Sequence, residues 1–504
     1  MKKIFAIVLS SIAISSIHAQ DINDALRFSQ TDLNGTARFR AMGGAFGALG
    51  GDFSALNINP AGSLIFANNQ VGFTLTDYNN SNNSNYFEKN TKANSNSFAL
   101  NQAGAVFVFN NEDTSSDWRK FAFSLNYENA RNLDNSIFSA GTNPNNSVDK
   151  YFLSYANGVS YGNINNYYFD ELYYNEQQAY LGYNSYIIDP TTTTPTNTSY
   201  YSNIAPGGNY YQENRIHSTG YNSKVAFNFA AQYTDKWLFG MNLNSHFLDY
   251  RQSSGFYESN NNPKYVTGST VDVIRFSNDL YTYGSGFSFQ LGTIFKPIKQ
   301  VRLGLSYESP TWYKLTDELS QRVTTSGYGL NSTQNNTLYS SITTDPNTTM
   351  IFVPYNLQSP GKWTGSFACI FGKRGLISID LSSKNYNNTT YRPKGDFSST
   401  NTYMNNNLTC AKEVRLGGEF KIKKVSLRSG YRYEQSPYKD RTTVGDLSGF
   451  SGGLGYNFGS TKLDFAYSHT KRDYDQQFFS QGLTDAARIK SVINTFSLTL
   501  LFEL

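Results

Sequence analysis

From about residue 70 to the C-terminus, apolar and polar side chains alternate with a period of two. Phe121, Phe123, Leu125 and Tyr127 interleave with Lys120, Ala122, Ser124, Asn126 and Glu128. Val225, Phe227, Phe229, Ala231 and Tyr233 repeat the pattern, as do Val301, Leu303, Leu305 and Tyr307, then Val414, Leu416, Phe420 and Ile422. The last run sets Phe496, Leu498, Leu500, Phe502 and Leu504 against Thr495, Ser497, Thr499 and Glu503. Such alternation predicts strands with one apolar and one polar face. Segments of this kind lie near 70–78, 96–109, 119–131, 214–233, 236–250, 280–296, 300–317, 360–372, 375–386, 408–422, 425–436, 445–458, 461–473 and 489–503, fourteen in all.

The connections alternate between short and long. Short links fall at 110–118, 234–235, 297–299, 373–374, 423–424 and 459–460; between them lie 79–95, 132–213, 251–279, 318–359, 387–407, 437–444 and 474–488. Short turns on one side and longer loops on the other, with an even strand number, predict an all-β fold: a 14-stranded antiparallel transmembrane β-barrel of the bacterial outer membrane. A soluble sandwich would need a second sheet over every aromatic-rich face and would leave the loop asymmetry without a cause. Trp118 and Trp237 fall at the turn ends of their strands and Trp312 and Trp363 near the loop ends, as an aromatic girdle requires.

Composition then makes sense. Aromatic residues reach 16% (38 Tyr, 37 Phe) while charged residues are also 16%, below the roughly 25% of a typical globular domain. The 56 Asn disfavour helix interiors, which argues against a helix-rich enzyme or a coiled coil. A mean hydropathy of −0.49 suggests a soluble chain, yet a barrel shows lipid every second residue only, so averaging hides the apolar belt. The 504 residues fit one barrel with its plug, and a formal charge of +4 gives no reason to expect nucleic acid.

Lys2 and Lys3, the apolar run from Ile4 to Ile17 and Ala19 read as a signal peptide over residues 1–19. No Cys follows it to carry a lipid anchor, and no later apolar run approaches the ~20 residues of a membrane helix. Residues 20–69 form a separate region before the barrel at 70–504, with Gly43, Gly44, Gly47, Gly50 and Gly51 among Ala41, Ala45 and Ala48. A fourteen-stranded lumen is too wide for wall side chains to fill, and small residues let this region pack inside it as a hatch. A phosphate loop is not indicated, since no Lys-Ser/Thr ending follows the glycines.

The hatch contains GGDFSALNINPAGS, with Asn59, Pro60 and Ala61 in sequence. This resembles the Asn-Pro-Ala hatch of the FadL/TodX-type outer-membrane transporters of long-chain fatty acids and hydrocarbons. GKRGLISIDL and VSLRSGYRYEQSPY also look like Bacteroidetes-type members. The resemblance implies uptake of a hydrophobic small molecule by passive diffusion through a plugged barrel, with Asn59, Pro60 and Ala61 along the substrate path. It implies a monomer that meets the barrel-assembly machinery, outer-membrane lipids and lipopolysaccharide, and that uses no cofactor and no metal. It also implies sideways release through a gap at a kinked third strand. Here that strand has no Gly or Pro from Lys120 to Arg131, so a kink needs a bulge. On the residues alone, the motif fits a rigid polar turn equally well: Pro60 fixes φ and Asn59 bonds nearby backbone.

Val106, Val108, Leu238 and Ile294 point inward from strands 2, 5 and 6 and are expected to form an apolar conduit. Strands 10 and 11 place Arg415, Glu419, Arg428, Arg432 and Glu434 inward as a structural ladder, with Glu419 opposite Arg428. The link 132–213 is rich in Tyr and Phe and fits either a capture site or a lid; Phe169, Leu172 and Tyr173 have the spacing of a small helix. His217, His246 and His469 show no evident Ser and acidic partners, so a hydrolase is disfavoured. A haem receptor and a general porin are the alternative readings, and fatty acid, aromatic hydrocarbon and haem are not separated. Cys369 and Cys410 fall on strands 8 and 10, with strand 9 between them, and are expected to stay unpaired.

Overall fold

The computed structural model describes residues 21–113, 115–330 and 337–504. The signal peptide expected over 1–19 lies outside the described residues. Fourteen antiparallel strands make the wall: β1 (Gln70–Tyr86), β2 (Lys89–Asn110), β3 (Trp118–Asn132, continued by Asn135–Asn143), β4 (Tyr210–Tyr233), β5 (Trp237–Ser259) and β6 (Thr270–Ile298). Next come β7 (Val301–Glu308, then Trp312–Tyr328), β8 (Tyr339–Thr344, Thr349–Ile351, Tyr355–Gln358 and Lys362–Phe371) and β9 (Gly375–Asn385, with Thr390–Arg392 beyond it). The wall ends with β10 (Cys410–Ile422), β11 (Val425–Glu434), β12 (Leu447–Asn457), β13 (Thr461–Gln477) and β14 (Ala486–Glu503). Each strand pairs with the next, and β14 returns to β1 from Gln70 opposite Glu503 to Asn85 opposite Arg488, so the ladder closes.

Every alternating segment is a strand of this wall. The outer links differ from the expectation of loops. The link 79–95 is a continuation of β1 and β2 that turns at Phe87 and Glu88, both with positive φ. β5 likewise runs to Ser259, β6 starts at Thr270, and β7 runs to Tyr328. Above the membrane both faces of a strand meet polar surroundings, so the apolar alternation fades while the pairing continues. Asn82 and Asn83 stand opposite Ala93 and Lys92, their pairing overriding the local preference of Asn for turns.

The two faces of the wall carry inverted polarity. Phe121, Leu125, Phe227, Phe229, Leu303, Leu305, Phe420 and Leu498 are exposed on the outside, whereas Ser124, Asn126, Asn228, Asn242, Gln290, Asp380 and Thr499 are buried inside. An exposed apolar belt around a closed ladder is the surface of a barrel solvated by lipid. All four tryptophans are exposed on it. Among the described residues no helix is long and apolar enough to cross a membrane.

The lumen is filled at two levels. Residues 21–69 enter it as α1 (Ile22–Ser29), α2 (Ala37–Ala41) and two 3-10 turns, Ser54–Asn57 and Pro60–Ile65. At the outer mouth, the connection between β3 and β4 folds into α3 (Asp149–Ala156), α4 (Tyr161–Asn166) and α5 (Tyr174–Asn184). Phe152, Ile164, Leu181 and Ile187 of this cap share one apolar cluster with Phe256, Val271 and Phe276 of the wall and Phe479 of the last outer connection. The helix expected to carry Phe169, Leu172 and Tyr173 is absent: these residues span a 3-10 turn and the start of α5. Phe169 and Leu172 are buried and Tyr173 is exposed.

Cys369 stands opposite Ile377 and Cys410 opposite Asn385, so β9 separates the two thiols by one strand laterally and eight residues lengthwise (377 to 385). Both are free. Denatured, unreduced protein is therefore expected to take up two equivalents of a thiol-alkylating reagent; a single intramolecular disulfide found by mass spectrometry would contradict this register.

Candidate substrate path

The hatch follows no regular secondary structure for most of its length, so its backbone needs partners inside the wall. The inward polar residues supply them. Asn228 Nδ2 donates to Pro60 O at 2.9 Å, Asn242 Nδ2 to Leu56 O at 2.8 Å, and Gln290 Nε2 to Asn57 O and Ile58 O at 3.0 Å each. Ser306 Oγ donates to Ile58 O at 2.6 Å. Across the lumen, the Asp380 carboxylate accepts from Phe46 N at 3.0 Å and Gly47 N at 3.2 Å.

Wall glycines let the two backbones approach this closely. A Cβ on Gly240 would stand 2.3 Å from Ala61 N, and one on Gly292 would stand 2.1 Å from Asn59 Oδ1 and 2.7 Å from Pro60 Cδ. Gly304, Gly430 and Gly453 face Gly47, Gly43 and Ala41 in the same way. Sequence reasoning missed these sockets. Glycine inside a strand signals close backbone approach, and that signal is present at Gly240 and Gly292.

Asn59 closes the motif from both sides. Its Nδ2 donates to Gly47 O at 2.8 Å and Thr293 O at 2.9 Å, while its Oδ1 accepts from Ala61 N at 3.2 Å. Pro60 opens the second 3-10 turn, where its missing N–H costs nothing. Asn59, Pro60 and Ala61 are all fully or nearly buried at the β5–β6 wall.

The four residues expected to line a conduit lie close to the hatch as well. Leu238 and Ile294 pack with Ala61 and Leu64, Val106 packs with Phe53 and Phe66, and Val108 touches both clusters. With the hatch in place they are covered by its side chains.

The charged ladder on β10 and β11 extends to the hatch. Glu419 Oε2 pairs with Arg428 at 2.7 Å and with Arg38 of α2 at 3.0 Å, and Arg428 reaches on to Asp464. Arg415 and Arg432 stand directly opposite one another, a repulsive pairing that Glu413 offsets by accepting from both at 2.7 Å.

At its outer end the hatch places its first helix, α1, within an aromatic chamber. Asp21 caps α1 by accepting from Asn23 N and Asp24 N at 2.8 and 3.0 Å. Ile22, Leu26 and Phe28 are buried against Tyr250, Tyr313, Tyr355, Tyr391 and Phe397. The Arg27 guanidinium lies 4.5 Å from the Tyr250 ring centroid.

The bulge that a kinked third strand needs is at Asn129–Arg131. There the ladder parts: β2 pairs with β3 only up to Gln102 opposite Glu128, although β2 continues outward to Lys89 alongside β1. The bulged backbone pairs with the hatch instead. Asp32 N donates to Ala130 O at 3.0 Å and Asn34 Nδ2 to Asn129 O at 2.6 Å. Past the bulge, β3 turns inward behind the first hairpin, where Asn80 and Asn82 donate to Asp134 O and Ser136 O at 2.7 Å. Phe98 and Leu100 are exposed on β2 beside the parting.

His246 does have a serine partner: its Nε2 and Ser288 Oγ are 2.8 Å apart, with Tyr313 OH at 3.5 Å from Nδ1. The third position of a triad is thus a phenol. His217 pairs with Ser136 and His469 with Asn494. No group of His, Cys, Asp and Glu suited to a metal ion occurs among the described residues.

A plugged barrel of fourteen strands with a bulged third strand can be compared with known structures. A Pseudomonas aeruginosa FadL homologue superposes with a TM-score of 0.52 at 13% identity, over 94% of this chain and 99% of its own. The chain has the FadL-type fold. The Pseudomonas putida toluene transporter TodX follows at a TM-score of 0.49 and 15% identity, and the Ralstonia pickettii toluene transporter TbuX at 0.46 and 14%. They cover 94% of this chain, with 99% and 100% of their own lengths. No protein-family model and no curated protein matches the sequence. The FadL-type fold and the lipid-facing belt together place the protein in the outer membrane.

Gly292→Ala should force the Asn-Pro-Ala turn off the wall. Planar-bilayer recordings are expected to show ion conductance several-fold above wild type, with heat-modifiable folding retained. Wild-type conductance would mean that the socket does not hold the hatch.

Proposed function

We propose that the protein carries hydrophobic compounds across the outer membrane by passive diffusion, without a catalytic step and as a monomer. Long-chain fatty acids and aromatic hydrocarbons are the substrate classes taken from the resemblance of the hatch to that of FadL/TodX-type transporters. The observation that carries this reading is the parting between β2 and β3. It is a break in an otherwise closed ladder, bordered by exposed Phe98 and Leu100 and sealed from inside by residues 32–34. A solute entering past the cap meets the aromatic chamber that α1 occupies, and its exit lies sideways through the parting into the bilayer. A general porin fits less well, because the hatch and the cap occupy the lumen at two levels.

On this reading Val106, Val108, Leu238 and Ile294 become the apolar wall once the hatch shifts, and Asn59, Pro60 and Ala61 are its fixed point against β5 and β6. Charged residues at Val108 and Leu238 are expected to lower oleate uptake severalfold in proteoliposomes while barrel assembly, scored by heat-modifiable migration, is retained.

The parting itself can be locked. Asn132 Nδ2 donates to Ser97 Oγ at 2.9 Å across it, so Ser97→Cys with Asn132→Cys should form a disulfide. The oxidised variant is expected to transport oleate at least fivefold more slowly than wild type and to recover on reduction. Uptake at the wild-type rate in the oxidised state would exclude this exit.

A further inference from the structure

The outer face of β6 to β9 carries a feature that transport does not use. Four residues stand side by side across four strands: Ser285 opposite Lys314, Lys314 opposite Asn356, and Asn356 opposite Arg392. Directly opposed residues of antiparallel strands share a face, and all four of these are exposed. Two strand spacings place the Lys314 and Arg392 backbones about 10 Å apart with the Asn356 amide between them. The next row toward the membrane reads Phe287, Trp312, Gln358 and Thr390. A crevice of about 410 Å³ opens between the rows, lined by Phe287, Trp312, Lys314, Asn356, Gln358 and Arg392.

Its height is set by the strand. Phe287 lies eleven residues above Ile298 at the turn end of β6 (298 to 287). At ~3.3 Å per residue and a tilt near 40° this is about 28 Å, the span of a barrel's apolar belt. Below it the outward residues are Phe289, Leu291, Thr293 and Phe295; above it they are Ser285, Tyr283 and Tyr281. The aromatic row therefore marks the outer edge of the hydrocarbon, and the cationic row sits one step beyond, at headgroup level. The carboxylate on the same face of β7, Glu318, stands four residues farther from the membrane than Lys314, opposite Tyr281. Arg392 Nη2 donates to Gln358 Oε1 at 3.2 Å, which holds the guanidinium over the crevice.

We infer that this crevice binds the phosphorylated headgroup of an outer-leaflet glycolipid of the lipid A type. Lys314 and Arg392 take the phosphates by charge-assisted hydrogen bonds, Asn356 takes a sugar hydroxyl, and Phe287 and Trp312 lie against the first methylenes of the acyl chains. The inference rests on the outer-membrane placement and is independent of what the lumen carries.

The test titrates the purified full chain in detergent with diphosphoryl lipid A, reading bound lipid by native mass spectrometry. The parallel arms are monophosphoryl lipid A, phosphatidylethanolamine and inorganic pyrophosphate. Lys314→Gln with Arg392→Gln is expected to weaken diphosphoryl lipid A binding at least tenfold. Lys471→Gln, an exposed cation on β13, should leave it unchanged. Monophosphoryl lipid A should bind wild type more weakly, and pyrophosphate and phosphatidylethanolamine should not distinguish wild type from the double variant. Binding of diphosphoryl lipid A to the double variant within twofold of wild type would overturn the inference, as would an equal loss in Lys471→Gln. Oleate uptake measured on the same variants should stay at the wild-type rate, so failure of the transport reading and failure of the lipid site give different results.

Discussion

Closure of the ladder is the constraint from which the rest of the structure follows. In lipid a strand edge has no partner, so the wall strands pair on both sides except where β2 and β3 part, and fourteen of them can close only around a wide lumen. Wall side chains cannot fill that space. The chain fills it with residues 21–69 and with the cap between β3 and β4. Irregular backbone at membrane depth is then tolerated because the lumen face is a surface of donors and acceptors. Asn228, Asn242, Gln290 and Asp380 each bond hatch backbone rather than merely hydrating the interior.

The hatch is not held equally on all sides. Toward β10 to β14 it meets charges: Arg38 joins the Glu419–Arg428–Asp464 network, and Arg40 bonds Asn34 and Thr495. Breaking a buried charge pair leaves an uncompensated ion and costs about 3–5 kcal/mol. Toward β5 and β6 it is held by glycine sockets and neutral amides. Toward β3 it is held by Asp32 N and Asn34 Nδ2 on the carbonyls of the bulge, and by charged wall groups on either side of them: Glu128 accepts from Asn57 Nδ2 at 2.6 Å, and Arg131 donates to Arg27 O at 2.8 Å. The bonds of residues 32 and 34 to the bulge are neutral, each worth about 1 kcal/mol net, against about 1.5–3 kcal/mol for bonds to charged groups. The neutral bonds of residues 32 and 34 thus sit where the ladder is open, between charged contacts on either side.

Much of the wall was legible because lipid enforces strict alternation, and each of the fourteen segments is a strand of the barrel. What the alternation could not show was where strands continue beyond the lipid, because Asn79 to Asn85 lose the apolar signal while keeping their partners. The Glu419–Arg428 pair was legible through a two-residue turn that fixes register. The His246–Ser288 contact was not, because two residues 42 positions apart meet only once the registers of β5 and β6 are known. The bulge at Asn129 carries no Gly or Pro mark; it arises where the hatch offers β3 a better partner than β2 does. The sockets at Gly240 and Gly292 were readable in type, though not in what they receive.

The asymmetry of the seal decides what could open it. Each methylene buried from water contributes about 0.8 kcal/mol, so ten of them entering the aromatic chamber supply about 8 kcal/mol. That exceeds the two neutral bonds that residues 32 and 34 make to the bulge. It does not readily exceed the combined cost of the Arg38 pair and the socketed Asn59 turn. On the proposed transport reading, a long apolar solute would release residues 32–34 from the bulge while α2 stays fixed to the ladder. A small polar solute supplies no such energy and meets a closed seal. On the same proposed reading, selectivity for hydrophobic cargo follows from the relative strengths of the hatch's attachments, without a recognition site for any headgroup.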